Sequence, residues 1–195
     1  MNVKLLLFKL ISINCWLEKY SLRNFKQTNN GIEYRLFSKK DSIEELTEVI
    51  NKAYSIYDQM GLNFMGVKQN SKATLKRINN AICLIAVHDK KIVGTITYKP
   101  PYKCKGSKWF NLSYVAKFNQ LSVLPELQDR GIGGELIRIT EQIAIKTHAK
   151  ELALDTSEKA TELIAYYMKK GYRFIENIKW KERNYNSVVL SKRLF

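Results

Sequence analysis

Apolar and polar positions follow two distinct periods from Ile32 to the C-terminus. Continuous or alternating apolar runs predict strands, and apolar stripes spaced by three or four residues predict helices. The predicted strands, in chain order, are 32–37, 81–87, 92–98, 116–124, 150–155, 172–178 and 187–194. The predicted helices begin with the capping sequence 41–45 and then cover 71–79, 133–148 and 158–170. A strand, a helix and a strand in succession predict a parallel crossover. The fold class is therefore mixed α/β, with a hairpin before the crossover and two strands after it.

Residues 1–30 differ in character from the rest of the chain. An apolar run over 4–13 is interrupted by Lys9, and the chain is then polar as far as Asn30. The run is too short and too charged to span a bilayer, so no membrane span is predicted. Three interpretations stay open: a helix appended to the domain, a membrane-surface or targeting segment, and a non-native extension. The predicted division is an N-terminal extension of uncertain role at 1–30 and one domain at 31–195.

Charge and cysteine content narrow the choice of partners. A formal net charge of +15 over 195 residues favours anionic partners. Basic residues are not interleaved with aromatic residues on one predicted element, and no reading motif is present, so we expect no nucleic-acid partner. The three cysteines are Cys15, Cys83 and Cys104. They have no metal-ligand spacing and indicate no disulfide framework, so we expect no metal and a cytoplasmic location.

A glycine-rich loop joins the strand ending at Leu124 to the helix that follows it. Glycines at 131, 133 and 134 leave backbone amides accessible at a helix N-terminus, where the helix dipole favours an anion. Arg130 can add positive charge, so a pyrophosphate is a suitable guest; the alternative is a glycine-rich helix start with no ligand. A dinucleotide-binding loop needs a third glycine where Leu136 stands, and the Gly-Lys-Ser/Thr ending of a P-loop is absent.

The loop resembles the acyl-CoA signature of the GNAT superfamily, which is Gln or Arg, two variable residues, Gly, one variable residue, and Gly or Ala. Gln128, Gly131 and Gly133 match it. The family also has a tyrosine four residues before a Gly-Phe/Tyr pair, and Tyr167 stands four residues before Gly171 and its following tyrosine. With the element order, the resemblance extends over residues 32–195.

The resemblance implies a GNAT-like fold, with a mostly antiparallel mixed sheet of six to seven strands, a parallel pair at its centre and about four flanking helices. It implies an N-acetyltransferase that moves an acetyl group from acetyl-CoA to a primary amine by direct attack in a ternary complex, without a metal. The strand ending at Val123 would part from the one ending at Asp155, and the pantetheine arm would lie between them. The residues implied to bind the cofactor are Leu121, Val123, Gln128, Asp129, Arg130, Gly131, Ile132, Gly133 and Gly134.

Tyr167 is the implied proton donor to the departing sulfur; the alternative is an aromatic residue of the core on an amphipathic helix. Asp155 and Glu126 are available carboxylates for the proton acceptor, and neither is assigned. Seven residues before Tyr167, where the family often has an asparagine that contacts the cofactor, this chain has Ala160. Thr156 or the following serine could compensate for it.

Two other functions stay open at this stage. A non-catalytic acyl-CoA sensor is favoured by Ala160 and by the lack of an obvious base, and a nucleic-acid-binding protein is favoured by the charge alone. The sequence does not identify the acceptor amine, although the loops at 57–70 and 100–115 are candidate substrate-side segments. We expect a monomer or a homodimer.

Overall fold

The computed structural model describes residues 17–18, 20–79 and 81–195. In this part of the chain the strands form an eight-stranded mixed sheet in the order β1-β2-β3-β4-β5-β6-β8-β7. The strands are β1 Lys26–Asn29, β2 Ile32–Leu36, β3 Ile82–His88, β4 Lys91–Lys99, β5 Val115–Val123, β6 Glu151–Ser157, β7 Arg173–Ile178 and β8 Ser187–Arg193. The helices that flank it are α1 Ile43–Gln59, α2 Ser71–Ile78, α3 Ile132–Lys146 and α4 Thr161–Lys169. Neighbouring strands are antiparallel except β5 and β6, which are parallel near the centre of the sheet.

The predicted mixed α/β fold with a central parallel pair is confirmed, and the sheet has one strand more than the six to seven expected. The added strand is β1, which lies in the segment that the sequence pattern separated as an extension. It pairs with β2 across a turn at Asn30 and Gly31, both at positive φ. Because β1 is a largely exposed edge strand, it lacks the apolar alternation by which strands are predicted. Of the extension at 1–30, to which the three interpretations apply, residues 1–16 lie outside the described residues.

The sheet is covered on both faces because its side chains alternate between them. Leu84 belongs to the main core, which lies between the sheet and α3. Its neighbours Cys83 and Ile85 belong to a second core, which contains Leu46 and Ile50 of α1. The helices therefore form one layer on each face of the sheet. A site within the sheet can open toward either of these layers.

The helix starts follow the predicted local chemistry, with one error in orientation. Ser42 caps α1 by accepting a hydrogen bond from the backbone N–H of Glu45. The helical spacing of 71–79 predicts that Leu75 and Ile78 face inward; for Leu75 this prediction is wrong, since the residue is 53% exposed. Thr74 is buried instead, and its hydroxyl bonds with that of Thr47 at 2.7 Å. Thr74 and Thr47 therefore form a polar contact between α2 and α1, which an apolar stripe cannot predict.

The two parallel strands separate along their length. β5 and β6 pair from Val115 with Glu151 to Lys117 with Ala153, and their pairing goes no further. Opposite β4, the register of β5 shifts, and Gln120 takes a φ of 55°, as in a β-bulge that bends a strand. The predicted parting of these strands is confirmed, and it opens a cleft through the middle of the sheet.

Candidate active site

The glycine loop leaves the end of β5 and begins α3. A single helical turn at Pro125–Leu127 is followed by Asp129 and Gly131, both at positive φ, and Gly131 is the N-cap of the helix. The first intrahelical hydrogen bond runs from Glu135 N to Gly131 O at 3.0 Å. The amides at 132–134 therefore have no partner within the helix, and no side chain caps them. Such a helix start is suited to an anion.

The glycines in this loop face close neighbours. A Cβ on Gly133 would lie 3.3 Å from Tyr166 Oη, and a Cβ on Gly134 would lie 3.0 Å from Lys170 Nζ. At Gly131 there is open space, and the requirement is instead the φ of 83°. Close neighbours at Gly133 and Gly134, and backbone conformation at Gly131, account for glycine at these positions.

The other predicted loop residues hold the turn or point outward. Gln128 Nε2 donates a hydrogen bond of 3.1 Å to the backbone oxygen of Val123, which ties the loop to the strand before it. Ile132 is buried and anchors the first turn of α3 in the core. Asp129 and Arg130 are exposed. Leu121, the remaining predicted residue, lines the cleft.

The charge near the helix start is positive on balance. Lys170 is the C-cap residue of α4. Its ammonium group lies next to Gly134 and 4.9 Å from the Tyr166 ring centroid. Glu135 is the acidic residue of this turn, but it forms a salt bridge with Arg138 at 2.6 Å. The hydrogen bond from Arg138 also lowers the pKa of Glu135. Glu135 is therefore neutralised, and the positive charges of Arg130 and Lys170 outnumber the single negative charge of the exposed Asp129.

The cleft between the separated strands has a volume of about 330 Å³. From the strands it is lined by Lys117, Phe118, Asn119, Gln120, Leu121, Leu154, Asp155 and Thr156. Three buried polar atoms of this lining have no hydrogen-bond partner in the described part of the chain: Asn119 Oδ1, Gln120 Nε2 and Thr156 Oγ1. Because buried polar atoms are normally paired, these atoms are available to hydrogen-bond with a ligand or water in the cleft.

Tyr167 lies on α4 at the inner wall of the cleft. It is 4% exposed, and its ring centroid is 5.8 Å from that of Phe118. Burial raises the pKa of Tyr167 well above its ordinary value, and the neighbouring Tyr54 and Tyr57 add to the effect. The phenol is thus protonated at neutral pH. Among the described residues none is hydrogen-bonded to its hydroxyl, which leaves that proton available.

The two carboxylates considered as bases have different surroundings. Asp155 lines the cleft, where Oδ1 lies 2.5 Å from Lys117 Nζ and Oδ2 accepts a hydrogen bond of 2.8 Å from Trp180 Nε1. Glu126 is exposed in the turn after β5 and does not line the cleft. The structure therefore brings Asp155, and not Glu126, to the cleft.

The positively charged side chains of the cleft were not predicted from the sequence. Arg77 of α2, Lys99 of β4 and Arg183 of the β7–β8 loop line it together with Lys117. Burial lowers the pKa of Lys99, and the charges of Lys117 and Arg77 lower it further. One signal was present in the sequence: Lys117 stands between the buried residues Ala116 and Phe118 of a central strand.

The two candidate substrate-side loops behave differently. In the loop at 57–70, Phe64, Met65 and Gly66 line the cleft. No residue of 100–115 whose side chain the structure describes lines it. That loop instead contacts two residues that line the cleft. The Phe110 ring centroid lies 4.1 Å from Lys117 Nζ, and the Trp180 ring lies against Gly106. Its assignment to the substrate side is therefore corrected to a supporting role.

The position of the missing asparagine is occupied by an apolar residue. Ala160 is buried as the N-cap of α4 and provides no side-chain cap. Of the two residues that could compensate, Ser157 accepts a hydrogen bond from Lys159 N at 3.1 Å. Thr156 lines the cleft with a hydroxyl that has no partner in the described ranges.

No group of three or more His, Cys, Asp or Glu side chains in the described ranges could hold a metal ion. No helix in the same ranges combines the length and the apolar character needed to cross a membrane.

Comparisons with known proteins identify the family of the chain. Residues 43–172, two thirds of the chain, match the Acetyltransferase (GNAT) family. A curated relative, S-(2-succino)cysteine N-acetyltransferase of Bacillus subtilis (strain 168), is 28% identical over 141 residues, which cover 71% of this chain and 82% of the relative. The PaiA N-acetyltransferase of Thermoplasma acidophilum, solved in complex with coenzyme A, has a TM-score of 0.65 at 20% identity and covers 83% of this chain and 98% of its own. A GNAT family acetyltransferase of Elizabethkingia anophelis with acetyl-CoA bound has a TM-score of 0.58 at 15% identity, covering 85% and 99%.

The chain belongs to the GNAT acetyltransferase family. Its expected activity is confirmed at the level of the family: it is an N-acetyltransferase, with acetyl-CoA as the donor of the acetyl group.

Proposed function

We propose that this chain acetylates a primary amine by direct attack within a ternary complex, with the loop at 128–134 holding the pyrophosphate of acetyl-CoA and Tyr167 acting as the acid. The observation that carries the proposal is the junction of β5 and α3. Helix amides without partners lie at one end of the split between β5 and β6, and a partner-free phenol lies on its wall. The catalytic domain in this proposal is 31–195, with β1 as an added edge strand.

The binding of acetyl-CoA would use backbone more than side chains. The amides of Ile132, Gly133 and Gly134 would donate to the pyrophosphate, and Arg130 and Lys170 would add charge. Beyond Lys117, the edge of β5 that faces β6 carries no strand partner, and main-chain groups near Leu121 and Val123 would pair there with the amides of pantetheine. Gln128 would act by holding the turn, through its bond to Val123 O.

Proton transfer would then depend on a small number of groups. Acetyl-CoA supplies an acetyl group activated as a thioester. The nitrogen of the neutral amine forms a bond to the acetyl carbon as the carbon–sulfur bond breaks, and Tyr167 gives its proton to the sulfur. The amine releases one proton, and the phenol regains one from solvent, which leaves the balance of protons unchanged. Tyr167 starts each cycle protonated, because burial holds its pKa above the ordinary value.

The acceptor is proposed to be a small amine. The curated relative is named for the N-acetylation of S-(2-succino)cysteine, an amino-acid derivative, which makes that compound the first acceptor to assay here. We also propose a cytoplasmic location and a monomer or homodimer, on the sequence arguments given above.

Release of free coenzyme A in the presence of a panel of amines tests the proposal. The panel should include S-(2-succino)cysteine, other amino acids, a polyamine and a peptide with a free N-terminus. Turnover that depends on an amine supports an enzyme. Tight binding of acetyl-CoA without amine-dependent consumption would instead establish the acyl-CoA sensor.

A further inference from the structure

The cleft holds more positive charge than its own acids neutralise. Its cationic lining residues are Arg77, Lys99, Lys117 and Arg183. Its carboxylates are Asp155 and Glu182. Asp155 is already paired with Lys117 at 2.5 Å, and Glu182 is exposed and forms no ion pair in the described part of the chain. The cleft therefore presents an excess of cations to whatever enters it.

Arg77 and Lys99 carry most of this excess. Neither has a carboxylate within ion-pair distance in the described ranges, and Arg77 Nη1 donates instead to the neutral Gln69 Oε1 at 2.7 Å. Burial lowers the pKa of both side chains, and neighbouring cations lower each further, Arg183 in the case of Arg77. Partly buried cations without counter-charges disfavour the folded state, since desolvation penalises the charged form. Retaining such groups is typical of a binding site.

The shape of the cleft favours a small ligand. At about 330 Å³ it is at the lower end of ligand pockets. Two segments that line the cleft, the loop at 57–70 and the β7–β8 loop, are joined by hydrogen bonds, among them Asn63 Nδ2 to Glu182 O at 2.9 Å and Asn184 Nδ2 to Gly61 O at 2.7 Å. These bonds bridge the loops beside the cleft, which leaves less room for a folded protein than for a metabolite.

We propose that the acetyl acceptor is a small amine that carries one or more carboxylate groups, and that Arg77 and Lys99 bind those carboxylates while the amine faces the thioester. This inference rests on the proposed function. A guanidinium group binds a carboxylate through two parallel hydrogen bonds, and Lys99 adds a second charge beside it. Polyamines and lysine side chains are disfavoured, because their additional positive charge meets like charge in the cleft.

Paired acceptors test the inference by turnover. Amino acids with one to three carboxylates are compared with their methyl esters, and with spermidine and tyramine, by release of coenzyme A. We expect kcat/KM at least about tenfold higher for an acceptor with free carboxylates than for its ester. Equal or higher values for the esters or for spermidine would overturn the inference and leave the proposed function standing.

Variants assign the effect to the two residues. Arg77→Met and Lys99→Met should each lower kcat/KM for the carboxylated acceptor by at least about tenfold, with the rate on the ester and the KM for acetyl-CoA nearly unchanged. Lys105→Met, at an exposed position of the loop behind the cleft, is the matched control and should behave as wild type. An equal loss on acid and ester in both variants would overturn carboxylate binding at these positions.

A binding measurement separates this inference from the proposed function. Tricarballylate, a tricarboxylate without an amine, is added at an ionic strength matched with sodium chloride, and thermal unfolding is followed. It should raise the Tm of wild type and not that of Arg77→Met. Absence of a rise in wild type would overturn carboxylate binding by Arg77, whereas a rise without turnover of any amine would overturn the proposed function and leave that binding standing.

Discussion

The ammonium group of Lys117 lies 2.5 Å from Asp155 Oδ1, beside the last paired residues of β5 and β6. The two side chains are 13% and 19% exposed, so the pair is largely withdrawn from solvent. Trp180 holds the other carboxylate oxygen, and Phe110 lies beneath the ammonium group. The pair therefore holds both charged groups at the point where β5 and β6 separate and the cleft begins.

Asp155→Asn should therefore destabilise the protein, because it leaves Lys117 without its counter-charge. We expect a loss of about 2 kcal/mol in the free energy of unfolding, less than for a fully buried pair. Asp58→Asn is the matched control, since Asp58 faces Lys68 at 3.5 Å with both side chains exposed. That change should cost less than about 0.5 kcal/mol. Urea unfolding of both variants measures the difference, and equal losses would show that burial of the Lys117 pair has no effect.

Tyr167→Phe should reduce turnover without reducing stability. The substitution removes a hydroxyl to which no described residue is hydrogen-bonded, while the ring remains against Phe118. We expect kcat to fall by about 10² or more, with little change in the KM for acetyl-CoA. Steady-state kinetics at saturating amine across pH measure this effect, with Tyr114→Phe at an exposed position as the control. A wild-type kcat in Tyr167→Phe would remove the residue from the proton-transfer step.

Much of the fold could be predicted from the sequence because its strands and helices differ clearly in period. The central crossover followed from the order of elements around the glycine loop, and β5 and β6 are parallel as expected. β1 was not predicted, because an exposed edge strand such as Lys26–Asn29 needs no apolar face. Leu75 was misplaced, because a buried Thr74 pairs with Thr47 through hydroxyl groups rather than apolar contact.

The candidate site could be predicted only in its local part. The loop at 128–134 and Tyr167 follow from short motifs, each within one stretch of chain. The cationic wall does not, because Arg77, Lys99 and Arg183 come from three elements that only the folded sheet brings together. Even within the loop, sequence reasoning could not show that Gln128 bonds back to Val123, since that depends on the turn between them.

Lys99→Met should raise thermal stability while it impairs use of the acceptor. Burial, together with the charges of Lys117 and Arg77, lowers the pKa of Lys99 from its usual 10.5. The cost to stability is thus fully present below the lowered pKa, and it disappears as pH rises from there to about 10.5. The gain in Tm from Lys99→Met should therefore be largest near pH 7 and smaller at pH 9.5. Lys105→Met should show no such gain, and a lower Tm for Lys99→Met at pH 7 would contradict the electrostatic account.

The two described cysteines should be unreactive in the native protein. Burial raises the pKa of Cys83 and of Cys104 to about 11, so at pH 8 only about one thiol in a thousand is ionised. In a Cys15→Ser background, a thiol-specific disulfide reagent at pH 8 should label neither cysteine within minutes, and should label both after addition of guanidinium chloride. Rapid labelling of one thiol in the folded protein would show that its side chain is accessible. The same reagent would then be unsuitable for following release of coenzyme A.

We propose that acetyl-CoA is bound by the backbone amides at 132–134, which are accessible because no large side chain covers them. Gly133→Asp puts a carboxylate there, and its Cβ would lie 3.3 Å from Tyr166 Oη. Gln142→Asp adds the same charge at an exposed position further along α3 and is the control. Circular dichroism and thermal unfolding establish that both variants are folded.

Isothermal titration of acetyl-CoA into wild type and Gly133→Asp is the most direct measurement. We predict that wild type and Gln142→Asp bind with similar Kd and that Gly133→Asp binds at least about tenfold more weakly, a loss of about 1.4 kcal/mol or more. A folded Gly133→Asp protein with the wild-type Kd, or a wild-type protein that does not bind acetyl-CoA, would contradict the account.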